Sequence, residues 1–159
     1  PGCLATFSFR SDAWDFIAFL RGGAPPRRPG FAPTVTVHLD GARTALLSQE
    51  AAADLGSWPN PTLDPVERIL SEVAPTRSAM PRLVVDSTVP PPRSCGVAVP
   101  PGLEGLRALR LVIDPSADGT EALCPVAVDL YRDVDRRILA VAIYSGTVRD
   151  TGPDGADPS

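Results

Sequence analysis

From Cys124 to Ser145 the chain carries two β-branched, apolar runs, Cys124–Tyr131 and Ile138–Ser145, joined by the charged hexapeptide Arg132–Arg137. Runs of that length on either side of a short polar turn pair as a β-hairpin, and the rest of the chain must be arranged around it. Side chains alternate along a strand, so Val126, Val128 and Leu130 fall on one face and Leu139, Val141 and Ile143 supply the matching face. Ala127, Ala140 and Ala142 make the opposite face small rather than polar, which predicts a strand pair covered on both sides, by helices. Asp129 interrupts this pattern. A mid-strand carboxylate must reach solvent or be paired, because burying it alone costs several kcal/mol, and Arg107 or Arg110 is the expected partner. A structural ion pair, or simply an exposed edge, is the favoured reading over a catalytic role.

Other segments read as follows. Residues 4–9 alternate as a strand, and a helix capped by Ser11 runs on through Phe16, Ile17 and Phe19 to Gly22-Gly23. Thr34–Leu39 alternates with Val35, Val37 and Leu39 inward and Thr34, Thr36 and His38 on the opposite face, which puts the His38 ring at a surface or a sheet–helix interface, with a semi-exposed strand residue the favoured reading, and Asp40-Gly41 marks a tight hairpin into Arg43–Leu47. Ser48 caps a short helix, Gln49–Leu55, ended by Gly56. Asp64-Pro65 opens an amphipathic helix with Val66, Ile69, Leu70 and Val73 on its stripe. Strands are expected at Arg82–Val89 and Leu106–Ile113. The fold class is therefore α+β: one domain over residues 1–148, a mostly antiparallel mixed sheet of about five to seven strands, with two or three helices packed on one face. Residues 149–159 read as a disordered tail.

Charge and composition narrow the function. The formal net charge of −4 lacks the clustered cations that nucleic-acid binding needs, and the pairs Arg27-Arg28 and Arg136-Arg137 are short enough to be solvated turns. All fifteen basic residues are Arg, which with the Ala, Gly and Pro content points to a GC-rich bacterial or viral genome. Cys3, Cys95 and Cys124 have neither metal-site spacing nor an even count, so no metal, cofactor or disulfide framework is expected and a reducing compartment is the default. No run approaches the length of a membrane span and no leader pattern opens the chain, so the expected location is cytoplasmic, or the host cytoplasm or nucleus if the source is viral.

The leading functional reading is a non-catalytic protein-binding or self-associating module that uses its proline-rich loops, 24–33 and 57–65. Trp58 is the first anchor candidate and Phe31 the second, with Arg27 and Arg28 beside them, because aromatics in proline-stiffened loops lose little entropy on binding. The alternative for both aromatics is a side chain folded back as a lid on the core. Homodimerisation through a sheet edge is a related possibility. A competing class is a small cofactor-free enzyme. His38 is the one histidine, and it would have to act with Cys95 or Cys124, although neither thiol sits at a helix N-terminus that would activate it. Pro1 offers a second route, by analogy with the tautomerase superfamily, in which an N-terminal proline is the catalytic base at the start of a strand–helix–strand unit. The proline-rich loop after the first helix and the missing second unit depart from that pattern. A third class is a small-ligand pocket between sheet and helices.

Overall fold

The computed structural model describes residues 12–13, 15–20, 29–60, 82–114 and 126–146. Helical backbone at residues 12–13 and 15–20 forms α1. The remaining elements are β1 (Phe31–Leu39), β2 (Ala42–Ser48), α2 (Gln49–Ala52), a single 3-10 turn (Leu55–Ser57), β3 (Arg82–Thr88), β4 (Arg93–Ser94), β5 (Val97–Ala98), β6 (Ala108–Asp114), β7 (Val126–Arg132) and β8 (Ile138–Tyr144). Six strands make one mixed sheet in the order β2-β1-β8-β7-β6-β3, and β4-β5 is a separate ribbon. Among the described strands of this sheet only the β1–β8 pair is parallel. The architecture is the expected α+β class, dominated by its strands. The hairpin β7–β8 stands at the centre of the sheet, where its doubly apolar strands find cover on both faces.

Register sorts the side chains. Val128 opposes Ile143 and Leu130 opposes Val141; these four join Val35, Val37, Leu109 and Leu111 in the larger core. The pairing slips between Tyr131 and Arg132, so Ile138, not Leu139, enters this core, while Leu139 packs against the smaller cluster behind the sheet. A bulge of this kind moves one residue out of alternation, which strict period-two reading misses.

Over the larger core lie α1, through Ala13, Phe16, Ile17 and Phe19, and α2 with the 3-10 turn, through Ala52 and Trp58. The Ser48 hydroxyl accepts from Ala51 N–H as the α2 cap. The helix is shorter than the expected Gln49–Leu55. Asp54 turns its carboxylate to Gly56 N–H and the Ser57 hydroxyl, a local side-chain bond that competes with helix continuation. The opposite face is covered by different means from those expected. There Val97, Val99 and Leu103, from the β4–β5 ribbon and the loop after it, pack on Ala108, Ala127, Ala140 and Ala142. A narrow ribbon suffices because the alanine floor lets it approach closely.

At the β1–β2 turn Asp40 and Gly41 both have positive φ, 48° and 83°, the tight hairpin geometry that Asp-Gly favours. A Cβ on Gly41 would stand 3.1 Å from the Ala98 carbonyl oxygen and 3.3 Å from Val97, so the ribbon docks directly on this turn. The strand expected at residues 4–9, the helix after Asp64 and the tail 149–159 lie outside the described residues. Among the described residues no helix is long and apolar enough to cross a membrane.

Candidate functional site

Behind the sheet, the pairing lines up one transverse row. Arg43 on β2 opposes His38 on β1; His38 opposes Ala142 on β8, Ala142 opposes Asp129 on β7, Asp129 opposes Arg110 on β6, and Arg110 opposes Asp86 on β3. Tyr131 and Tyr144 flank Asp129 on the same face. Arg110 grips Asp129 with two parallel bonds, Nε to Oδ1 at 2.7 Å and a terminal nitrogen to Oδ2 at 2.8 Å, and lies over the Tyr144 ring at 5.8 Å. Asp129 is fully buried and the Arg110 side chain is 14% exposed. The hydrogen bond that Arg110 donates to Asp129 raises the Arg110 pKa above its ordinary value. This is the ion pair expected from the sequence, with Arg110 as the partner; Arg107 instead donates to the Ser87 carbonyl. A carboxylate whose two oxygens are both held by a guanidinium is a poor general base.

The same face buries three polar atoms that no protein group satisfies: His38 Nδ1, Tyr131 Oη and Tyr144 Oη. Burial, then the nearby Arg43 charge, lowers the His38 pKa, which favours the neutral ring. Burial first and the Asp129 charge second push the Tyr144 phenol up to about 12, and Tyr131 rises for the same leading causes. His38 is thus 6% exposed and not the outward, semi-exposed strand residue of the alternation reading. The covering ribbon is the reason. Its own apolar signal, Val97 and Val99, is too short to announce a layer.

The other candidates are placed as follows. Trp58 is 2% and Phe31 3% exposed. Both rings meet Phe19, at 6.2 and 5.5 Å between centroids, and Trp58 Nε1–H donates to the Ala52 carbonyl. They are core residues that close the helix side, the lid alternative, and in this conformation neither presents a surface to a partner. Cys95 is disulfide-bonded. This corrects the expectation of an inert free thiol, and in that state Cys95 has no thiolate to pair with His38. An odd cysteine count without a spacing pattern could not show which thiol is bridged. Pro1, Arg27, Arg28 and Cys124 lie outside the described residues. Among the described residues no group of three or more His, Cys, Asp or Glu side chains is placed to hold a metal ion.

On the helix side, at the end of the sheet where the β7–β8 turn meets α1, there is a cavity of about 130 Å³ lined by Asp12, Asp15, Pro29, Gly30, Leu109, Leu130, Arg132, Arg136 and Ile138. Leu109, Leu130 and Ile138 make an apolar floor of buried residues. Asp12 and Arg132 are paired across the rim at 2.7 Å. The turn that carries Arg136 is fixed by Asp133, whose Oδ1 accepts from Asp135 and Arg137 N–H and whose Oδ2 accepts from Arg137 Nε. Those bonds hold the Asp133 carboxyl below the usual carboxylate range, the Arg137 N–H being the largest cause. Among the described residues the side chains of Asp15 and Arg136 make no hydrogen bond or ion pair. Nothing local in the sequence joins a first helical turn to a hairpin more than a hundred residues away.

No family model matches the chain, and comparison with curated proteins and with solved structures gives no match.

Proposed function

We propose that the chain is a non-catalytic binding module for a protein partner, and that the cavity between α1 and the β7–β8 turn receives one anchor side chain of that partner. The observation that carries this reading is the size and lining of the cavity. Pockets for nucleotides and other drug-sized ligands run to roughly 300 Å³ or more, whereas an interface hot spot is a single side chain seated in a small, largely apolar pocket. At about 130 Å³, with three aliphatic residues beneath and charges at the rim, this site suits the second use. Pro29 and Gly30, from the first proline-rich loop, form part of its wall, so the expected use of that loop is retained while Trp58 and Phe31 are replaced as the contact residues.

Among the described residues, Asp129 is committed to Arg110 and Cys95 to its disulfide, and His38 is buried on the face of the sheet opposite this cavity. The test is to titrate the full chain with N-acetyl amino-acid methylamides and follow backbone amide shifts. About a dozen ligand atoms at ~0.3 kcal/mol each give a dissociation constant on the order of millimolar, so concentrations of tens of millimolar are needed. Shifts centred on Gly30, Arg132 and Ile138 are expected. Shifts confined to the ribbon side of the sheet, or none with any compound, would sink the reading.

A further inference from the structure

We infer that the anchor accepted by this cavity is a cation on an aliphatic stem, the side chain of a lysine or an arginine in the partner. The inference rests on the binding reading above and adds the chemistry of the occupant. Three observations support it. The floor of Leu109, Leu130 and Ile138 offers apolar surface to a methylene stem, the manner in which long basic side chains pack while keeping the charged head at a polar edge. The head then meets Asp15, which is half-buried and has no partner among the described residues, while its neighbour Asp12 is already occupied by Arg132.

The charged residues that line the cavity balance, Asp12 and Asp15 against Arg132 and Arg136. With Asp12 paired to Arg132, the charge of the guest is decided between Asp15 and Arg136. Among the described residues of the rim, Arg136 is a cation without a side-chain partner, but it is exposed on the turn and keeps its hydration. Asp15 is less exposed and stands on α1, so a charge-assisted bond to it displaces less water.

The experiment compares N-acetyl-lysine methylamide with N-acetyl-norleucine methylamide, which keeps the stem and drops the charge, and with N-acetyl-glutamate methylamide. Amide shifts of the full-length chain give the three affinities. The lysine compound should bind about five-fold more tightly than norleucine, a difference of ~1 kcal/mol for a half-exposed charged contact. Asp15→Asn should bring the two within two-fold of each other, with an unchanged thermal midpoint showing that the variant folds. Equal affinity of lysine and norleucine in the parent chain overturns the inference and leaves the pocket standing. Tighter binding of glutamate overturns it in favour of an anionic guest at Arg136. Binding of none of the three overturns the pocket and the inference together.

Discussion

Asp129 and Leu130 are neighbours in one strand and both are buried, at 0% and 1% exposure, yet they depend on their surroundings in different ways. Leu130 faces the helix side, where aliphatic residues from five strands meet Phe16, Phe19 and Trp58. Any one of those contacts is one among many, and stability there follows total apolar burial. Asp129 faces the ribbon side, where alanines make the floor and a single guanidinium satisfies the carboxylate. Here the fold depends on one partner. Non-directional packing tolerates loss in proportion to volume, whereas a buried charge tolerates nothing short of replacing both members of the pair.

The sharpest way to break the comparison is Asp129→Ala. It strands the Arg110 guanidinium under the ribbon and should cost about 3–5 kcal/mol. The double variant Asp129→Leu with Arg110→Met should recover most of that loss, because an apolar pair of similar size needs no partner. Leu130→Ala on the other face should cost a comparable ~2–5 kcal/mol, but no single second substitution will restore it. Urea midpoints of the four proteins decide the matter. A double variant as unstable as the single would mean that the pair contributes something other than mutual satisfaction.

A smaller effect should separate the faces by pH, since His38 is the titrating imidazole of the ribbon side. Its folded pKa is depressed below the unfolded value of about 6.5, so between the two values the unfolded chain binds more protons and stability rises with pH. The contribution is complete above about pH 6.5 and is lost as pH falls below it, with a slope of at most ~1.4 kcal/mol per pH unit. His38→Gln should flatten the stability profile between pH 5 and 7. The groups to consider with it are Arg43, opposite on β2, and the Asp129–Arg110 pair beyond Ala142. A variant profile as steep as the parent's would assign the slope to carboxylates instead.

The helix side was largely legible in the sequence and the ribbon side was not, for a physical reason. Periodicity reports apolar stripes, and the stripes of β1, β6, β7, β8 and α1 all point to the helix-side core, so the central hairpin, the Asp40-Gly41 turn and the Ser48 cap fall where local chemistry places them. A layer of two two-residue strands has no period to read, so nothing in the sequence marked Val97 and Val99 as a covering layer, and His38 looked exposed. Asp129 could be recognised as needing a cation because its burial cost is local knowledge, while the choice of Arg110 over Arg107 needed the strand register. The cavity was invisible because it joins segments whose meeting depends on tertiary structure alone, and an odd cysteine count could not show that Cys95 is bridged.

The finest distinction between the faces concerns single oxygen atoms. Tyr131 and Tyr144 each bury a hydroxyl with no protein partner, a feature absent from the described helix-side core, where the Trp58 N–H has the Ala52 carbonyl. A buried hydroxyl without a bond carries a desolvation penalty of about 1–3 kcal/mol that the unfolded state does not bear, whereas one that holds a bond contributes about 0.5–1.5 kcal/mol in the other direction. Removing the oxygen while keeping the ring therefore reads its state directly. Tyr131→Phe and Tyr144→Phe should each leave the stability unchanged or raise it, by up to about 1–3 kcal/mol, and their effects should be coupled rather than additive, because both phenols neighbour the Asp129–Arg110 pair. A loss of more than ~1 kcal/mol in either variant would mean that its hydroxyl is engaged in solution, and that the ribbon side is a satisfied polar network rather than a sheet face with two silent phenols.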